Sequence, residues 1–323
     1  IIHFSAIGVD RAQPSEFSMT KNHADEILRS STLDWVILRP SVVIGRAAYG
    51  ASALFRGLAA LPILPLMPGT GKLQVIQLDD VVETVVRLLP DDAPARITLE
   101  LAGPEPLEFR EIVAAFRTWF GWKPAREARL SQPIAKFLYS LGDLAGRLGW
   151  RPPLRSTAAL EIGRGATGDP APWTKTTGIT PVSLREALAA NPVSVQERWF
   201  AGLYFLKPIS IVVLSAFWLA TGIISLTIGW QLGVDLMRRT PISSLAELSV
   251  IAGAMTDLMV GTLIAIRRTS RIGLLMGVAI SLFYAAAGTV LLPELWRDPL
   301  GPLLKIWPIL VVHLMTLAIL RDR

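Results

Sequence analysis

The first 120 residues alternate short apolar runs with segments of helical periodicity. This is the pattern of βαβ units around a mostly parallel sheet. It predicts strands over residues 1–4, 35–38, 73–78 and 97–101, and helices over 15–30, 79–89 and 109–120. The helix from residue 79 is expected to be capped by Asp79 and Asp80. Its apolar residues share one face: Val82, Val85, Val86 and Leu89.

Residues 123–200 are richer in Pro, Gly and Arg, with helical patches at 134–148 and 183–190 and an expected surface loop at 164–172. The amphipathic helices of this stretch have two interpretations. They pack against the soluble core, which is the favoured one, or they lie on a membrane surface.

The last third of the chain changes character. Residues 208–234 contain no charged residue. This segment is long enough to span a bilayer, which needs about 20 apolar residues. Further spans are predicted over 245–266, 272–293 and 302–320, the last with Lys305 reaching the interface. Four spans return the chain to the side from which it entered.

Basic residues are distributed unevenly about these spans. One side carries Arg198, Arg267, Arg268, Arg271, Arg321 and Arg323, and the other carries Arg238, Arg239, Arg297 and Lys305. Positive residues favour the cytoplasmic side. The pattern therefore predicts a multi-pass protein, of the bacterial inner membrane, with its soluble part in the cytoplasm.

Composition agrees with a membrane protein, since 51% of the residues are hydrophobic and the mean hydropathy is +0.46. The net charge of +6 does not indicate nucleic acid, because no basic run is interleaved with aromatic residues. Absence of cysteine excludes disulfides, thiolate metal sites and a cysteine nucleophile, and three scattered histidines argue against any metal site.

The chain opens on an apolar run without an initiating Met or a basic region before it. This reads as a strand entered midway, so we expect a fragment or a trimmed chain.

Short motifs in the first 104 residues resemble the extended, or atypical, short-chain dehydrogenase/reductases. That family includes nucleotide-sugar epimerase- and dehydratase-like proteins and the NADPH-binding accessory subunit of respiratory complex I. The matching segments, in the family's order, are 3–8 (HFSAIG), 17–21 (FSMTK), 38–45 (LRPSVVIG), 77–81 (QLDDV) and 101–104 (LAGP).

The resemblance implies a catalytic Ser at Ser5 and a catalytic, ribose-binding Lys at Lys21. It also implies that Arg39, Pro40 and Ser41 lie beside the nicotinamide of NAD or NADP. The family's Tyr, which transfers a proton to or from the substrate, is replaced by Phe17. General acid–base catalysis contributes about 10²–10⁴ in rate, so this change bears on whether the chain is an enzyme.

Each of these residues also has a simpler interpretation. Lys21 can be a solvated helix residue, and Ser5 can satisfy turn hydrogen bonds. If family chemistry persists, Phe17 is a lesion. If the fold has become a binding module, we expect the surroundings of Phe17 to be packed and apolar.

The family cradles the pyrophosphate in a G-x-G-x-x-G loop after its first strand, and no such loop is found in that context here. The pair Gly69 and Gly71 is expected to form a hairpin-like turn. In the family the loop lies about 100 residues before the Ser. We therefore expect this chain to bind NAD(P) weakly or not at all.

The membrane part resembles the DoxX-like four-helix proteins, some of which are associated with quinone-linked oxidoreductases. Asp257 and His313 are intramembrane polar residues, and such residues are costly in hydrocarbon. They are either functional or hold the bundle together by hydrogen bonds.

The predicted fold class is a partial α/β Rossmann-like domain followed by an all-α transmembrane four-helix bundle. Its divisions are 1–122 (nucleotide-binding part), 123–200 (substrate-side and linker region) and 201–323 (DoxX-like domain). The function predicted first is a membrane-anchored NAD(P)-binding oxidoreductase whose partners are lipid and a quinone. The alternative is a non-catalytic nucleotide-binding or assembly module with a partner in a membrane complex. A transporter is a third option.

Overall fold

The computed structural model describes residues 1–12 and 14–320, which form two compact units. The α/β unit comprises residues 1–144 and 152–204. The membrane unit comprises residues 145–151 and those from 205 onward.

The α/β unit is built on a three-stranded parallel sheet. The strands are β1 (Ile2–Phe4), β2 (Val36–Pro40), β3 (Val43–Ile44), β4 (Ile63–Leu66), β5 (Ile76–Gln77), β6 (Ile97–Leu101) and β7 (Arg126–Arg129). The main sheet has the order β1-β2-β6, and β3 with β5 and β4 with β7 form two small parallel pairs. Parallel strands joined through helices are the Rossmann-like topology that the sequence predicts.

Nine helices begin in this unit. They are α1 (Glu16–Arg29), α2 (Gly50–Ala60), α3 (Leu78–Arg87), α4 (Phe109–Trp119), α5 (Gln132–Arg147), α6 (Ser156–Arg164), α7 (Ala171–Thr177), α8 (Leu184–Ala190) and α9 (Val195–Leu203). The crossover helix α1 starts as expected, because the Ser15 hydroxyl accepts a hydrogen bond from the Ser18 amide.

One face of the sheet carries the apolar core. Val36 and Leu38 of β2 and Leu99 and Leu101 of β6 pack there against α3 and Trp173 of α7. The Trp173 indole is fully buried and donates to the Thr84 hydroxyl at 2.9 Å. Helix α7 therefore covers the half of the sheet formed by β2 and β6.

The apolar face identified on α3 is largely exposed. The buried residues of the helix are Val81 and Thr84, whereas Val82 and Val86 are each more than half exposed. Nor do Asp79 and Asp80 cap the helix, since Gln77 occupies the cap position and both acids lie in the first turn. Four apolar residues on one face did not identify the buried face, because this helix is apolar on two sides.

Two other boundaries also differ from prediction. Of the strand expected over 73–78, only Ile76–Gln77 pairs with another strand, apart from single bridges made by Leu73. The expected loop at 164–172 is short and tied to the unit, because the Ala166 amide donates to the Lys72 carbonyl at 2.9 Å. Helices α6 and α7 take up its two ends.

The membrane unit contains four long apolar helices, as predicted. Its helices are α10 (Leu206–Leu226), α11 (Trp230–Arg238), α12 (Ala246–Ala265), α13 (Ser270–Leu291) and α14 (Pro302–Leu320), with 3-10 turns at Ser243–Leu245 and Pro293–Trp296. Helices α10, α12, α13 and α14 are long and apolar enough to cross a membrane. Each packs against two of the others, with α10 and α13 both contacting α12 and α14.

The first predicted span is too long at its C-terminal end. Helix α10 stops at Leu226 and a separate amphipathic helix, α11, follows from Trp230. The break lies at Thr227 to Gly229, where a β-branched residue and a glycine weaken the helix. Arg321 and Arg323, which the orientation argument uses, lie outside the described residues.

Small residues let these helices approach closely. A Cβ atom on Gly222 of α10 would lie 2.7 Å from the Ala254 carbonyl oxygen, and one on Gly261 of α12 would lie 2.9 Å from the Leu219 nitrogen. The Ser215 hydroxyl donates across the same contact to the Gly261 carbonyl at 2.9 Å. Packing of this kind associates helices in lipid, where apolar burial supplies no driving force.

Candidate functional site

Lys21 lies at the carboxyl end of β1. Its ammonium donates to the carbonyl of Phe4, the last residue of that strand, at 2.7 Å. An ammonium group has three donors, and within the described residues Lys21 uses one of them, in this hydrogen bond. The remaining donors are at the edge of the sheet where ligands of open α/β folds bind.

An apolar groove of about 350 Å³ begins at the same strand ends. Phe4 and Pro40 form its floor beside Val43, and the exposed side of α3 forms its wall with Leu78, Val82 and Val86. A flat apolar ring system is the kind of group that such a groove can hold.

The surroundings of Phe17 differ from those expected if the fold has become a binding module. Its side chain is 53% exposed on α1, one turn before Lys21, and it is not enclosed in a packed apolar pocket. The absent hydroxyl is therefore a chemical loss without a compensating gain in packing.

Ser5 is buried and its hydroxyl donates to the carboxylate of Asp25 at 3.0 Å. Asp25 is fully buried on α1, one turn after Lys21. The same oxygen accepts from the guanidinium of Arg39, through Nε at 3.1 Å and Nη2 at 2.9 Å. The other Asp25 oxygen has no hydrogen bond, and Nε2 of His3 lies 3.4 Å away from it.

Arg39 also pairs with Asp10, through Nη1 at 2.6 Å. Burial disfavours the charged form of Asp10, but the hydrogen bond and the charge of Arg39 outweigh it and lower the pKa of the Asp10 carboxyl. Burial likewise opposes the charge on Arg39, and the two carboxylates outweigh it and raise the pKa of that guanidinium. The guanidinium is thus engaged on both sides.

The structure separates the residues predicted to bind the cofactor into two sets. Lys21 and Pro40 reach the open edge and its groove. Arg39 is committed to Asp10 and Asp25, and the Ser41 hydroxyl donates to the Ala166 carbonyl at 2.8 Å. The second set can position the strand end but offers no side chain to a ligand.

Asp25 is the member of this cluster that sequence reasoning missed. The available signal was its spacing, since position 25 lies four residues after Lys21 and so on the same side of α1. A carboxylate on a face directed at the sheet needs a cationic partner, and Arg39 at the end of β2 meets that need.

A G-x-G-x-x-G pattern does occur in the chain, at Gly163 to Gly168, which the sequence reasoning overlooked. It begins with Gly163 inside the last turn of helix α6 and does not follow a strand, so its amides do not open a helix toward a phosphate. Its glycines serve close packing. A Cβ on Gly165 would lie 2.5 Å from the Lys72 carbonyl oxygen, and one on Gly168 would lie 2.3 Å from a Glu100 carboxylate oxygen.

The same segment clamps the start of α1. The Glu161 carboxylate accepts from the hydroxyls of Ser15 and Ser18 and from the guanidinium of Arg164. Burial opposes the charge on Glu161, but these donors outweigh it and lower the pKa of its carboxyl. The clamp holds the helix that carries Lys21 and Asp25.

His313 in the membrane unit is fully buried between two helices. The Trp218 indole donates to its Nε2 at 2.9 Å, and its Nδ1 lies 2.8 Å from the Ile309 carbonyl oxygen. Because an indole only donates and a carbonyl only accepts, these contacts assign a neutral ring with the proton on Nδ1. The bond at Nε2 joins α10 to α14, whereas the contact at Nδ1 lies within α14, one turn back at Ile309.

Asp257 is also buried in the bundle, at 3% exposure. The Tyr284 hydroxyl donates to its Oδ1 at 2.9 Å, linking α12 to α13. Asp257 and His313 therefore each accept a hydrogen bond from a neighbouring helix.

Comparison with protein families identifies the membrane part. Residues 215–314 match the model of the DoxX-like family, so the resemblance stated for this part is confirmed. No curated protein matches the chain.

Solved structures of several enzymes match the chain over 58–59% of its length. They include a nucleoside-diphosphate-sugar epimerase from Staphylococcus aureus, with 16% identity, a TM-score of 0.46 and 63% of that chain covered. An NADPH-dependent quinone oxidoreductase from Escherichia coli, complexed with NADPH, has 19% identity, a TM-score of 0.45 and 64% covered. A dTDP-glucose 4,6-dehydratase from Bacillus anthracis, complexed with NAD, has 14% identity, a TM-score of 0.43 and 59% covered. The chain thus spans less than two thirds of the length of these proteins.

Proposed function

We propose that the chain is a membrane-anchored NAD(P)-binding protein of the oxidoreductase type, which passes reducing equivalents to a quinone-like acceptor. The observation that carries the proposal is the position of Lys21. Its ammonium lies at the carboxyl end of β1, beside an apolar groove that starts at Phe4 and Pro40.

The residues present fit one end of a nicotinamide dinucleotide. Lys21 retains donors for the hydroxyls of a ribose, and Pro40 and Phe4 offer an apolar surface to the flat ring. Within residues 1–12 and 14–320 we find no G-x-G-x-x-G loop that leads from a strand into a helix to cradle the phosphates. The fit therefore predicts weak binding, dominated by the nucleoside end.

When bound, the dinucleotide supplies a hydride. Lys21 would orient the ribose, and the buried pair of Asp25 and Arg39 would hold α1 and β2 at the distance that this requires. Ser5 directs its proton to Asp25 and so gives none to a substrate in this arrangement.

The nature of the acceptor follows from Phe17. Hydride addition to a ketone leaves a strongly basic alkoxide, which needs the acid that Phe17 cannot provide. Addition to a quinone leaves a phenolate-type oxygen with a pKa of about 10, as for tyrosine, and water can protonate it. A quinone is therefore an acceptor that can be reduced without the missing acid. A lipophilic quinone also dissolves in the membrane that the four spans are proposed to cross.

The experiment is oxidation of NADH and NADPH by a short-chain quinone, using the protein in lipid nanodiscs and following the nicotinamide absorbance. We expect turnover that Lys21→Ala reduces by about tenfold or more, in proportion to one charge-assisted hydrogen bond. Exposed Lys72→Ala is the matched control and should retain it. Phe17→Tyr should assist a ketone substrate and leave quinone reduction unchanged. Absence of quinone turnover in the unmodified protein would contradict the proposal.

The second candidate is a non-catalytic nucleotide-binding or assembly module in a membrane complex. The observation that favours it is the hydrogen bond from Ser5 to Asp25, which uses the candidate catalytic hydroxyl internally. Binding of dinucleotide without turnover of any acceptor would support this alternative.

We also propose that the α/β unit is cytoplasmic, in a bacterial inner membrane. The support is Arg267 and Arg268 in the connection between α12 and α13, together with Arg271 in the first turn of α13. The chain has no cysteine, so single cysteines can be placed at will. In intact cells Arg268→Cys should resist a membrane-impermeant maleimide and Leu300→Cys, in the next connection, should react. Labelling at Arg268→Cys but not at Leu300→Cys would show the opposite topology and contradict this proposal.

A further inference from the structure

Helix α5 carries an apolar stripe that no described residue covers. Its members are spaced three or four residues apart and continue just beyond the helix: Ile134, Phe137, Leu141, Leu144 and Leu148. Phe137 is 62% exposed and Leu144 is 53% exposed. Residues at this spacing lie on one side of a helix.

The opposite side of α5 is the one that packs against protein. Ala135 is buried, and a Cβ on Gly142 would lie 1.6 Å from the Leu154 carbonyl oxygen. α5 therefore packs against protein, as one of the two interpretations expected, but the stripe is not its packing face.

The C-terminal end of α5 runs directly into residues that belong to the membrane unit. The Trp150 indole donates to the carbonyl of Ala265, the last residue of α12, at 2.7 Å. The Arg267 amide donates to the Leu148 carbonyl at 3.0 Å, and its guanidinium lies 5.3 Å from the centre of the Trp150 ring. The stripe thus ends at the level where a spanning helix ends, and Trp and Arg are typical of that level.

Basic residues flank the stripe. Lys136, Arg147 and Arg151 are exposed. The one acidic residue of α5, Asp143, forms an ion pair with Arg155, with 3.6 Å between Oδ1 and Nε. A helix with an apolar face and a basic border is suited to a surface of anionic lipid.

We propose that α5 lies in the membrane interface, with its stripe inserted among the lipids and Lys136 and Arg147 at anionic headgroups. The occupant of this face is the bilayer that the four spans already require. Lipid is favoured over a protein partner because the stripe leads along the chain to Trp150, which is hydrogen-bonded to the end of α12.

The test uses single nitroxide labels on the complete chain in liposomes of phosphatidylcholine and phosphatidylglycerol. A label at Phe137→Cys or Leu144→Cys should be open to oxygen and shielded from a water-soluble nickel complex, at a depth of about 5–10 Å. The matched control is Ile27→Cys on α1, which is 57% exposed and should show the reverse accessibility.

Charge reversal gives an independent readout. With Lys136→Glu and Arg147→Glu together, we expect the Phe137 label to become more accessible to nickel in anionic liposomes. A Phe137 label as open to nickel as that at Ile27 would overturn the proposal. So would a label shielded from both reagents in liposomes and in detergent, because that result indicates a protein partner or a second copy on this face.

Discussion

The hydroxyl of Ser5 donates a 3.0 Å hydrogen bond to the fully buried carboxylate of Asp25. Ser5 follows β1 and Asp25 lies on α1, so this bond joins the strand end to the helix that also carries Lys21. Arg39 completes the connection from β2. The candidate site is therefore held from beneath by a buried polar cluster, and Lys21 is the charged side chain left at the open edge.

Removal of the Asp25 charge tests this support. Asp25→Asn leaves Arg39 buried with only Asp10 to balance it, and loss of one partner of a buried pair costs about 3–5 kcal/mol. Asp10→Asn is the matched control. Its side chain is 54% exposed, so we expect no more than about 1 kcal/mol. Chemical denaturation in detergent measures both free energies of unfolding, and equal losses would show that burial of Asp25 has no special role.

The clamp at Glu161 makes a prediction about acid stability. The folded-state pKa of Glu161 is lowered, so its contribution is complete above the unfolded value of about 4.3 and is lost as the pH falls through the folded value. Glu161→Gln should therefore be less stable at neutral pH, by about 1–2 kcal/mol, and should lose less stability between pH 5 and pH 3 than the unmodified chain. Melting temperatures across this range, with exposed Glu105→Gln as control, provide the measurement. Parallel curves for all three proteins would refute the role of the clamp.

The membrane unit makes a steric prediction. A methyl group at Gly277→Ala would lie 2.3 Å from Nε2 of His313, the atom that accepts from Trp218. We expect it to displace the ring, break this hydrogen bond and destabilise the bundle by about 1–3 kcal/mol. Gly253→Ala in α12 is the matched control, because its methyl would meet Tyr284 at an ordinary 3.5 Å. Resistance to unfolding by dodecyl sulfate compares them, and the account fails here if Gly277→Ala is as stable as Gly253→Ala.

Local pattern was sufficient for much of the fold. β6 occupies the predicted residues and α1 starts next to Ser15, where the helix was predicted to begin, because buried apolar runs and caps are signals carried by a few neighbouring residues. The four spans follow from length and hydropathy alone. The buried face of α3 could not be predicted from its apolar residues, since the choice between two apolar sides depends on Trp173, which lies about 90 residues away in the chain.

The site divided in the same way. Lys21 and Phe17 were identified by the resemblance to the dehydrogenase/reductase family, and they lie on α1 near the strand end. The commitment of Arg39 and Ser41 to internal partners was not predictable, because Asp25, Asp10 and Ala166 meet them only in the folded chain. Likewise, the glycine pattern at Gly163 begins in a helix and not after a strand, and the sequence pattern alone does not show that it therefore lacks a phosphate-binding geometry.

The most direct test of the account is whether Lys21 binds a dinucleotide. Ligand-detected NMR on the complete chain in nanodiscs, titrated with NADH and NADPH, measures this without requiring turnover. We predict weak binding, in the range of roughly 0.1–1 mM, that Lys21→Ala lowers by about tenfold and that Lys72→Ala leaves unchanged. Binding that is equal in all three proteins, or no binding to the unmodified chain, would contradict the assignment of this edge of the sheet as a nicotinamide site.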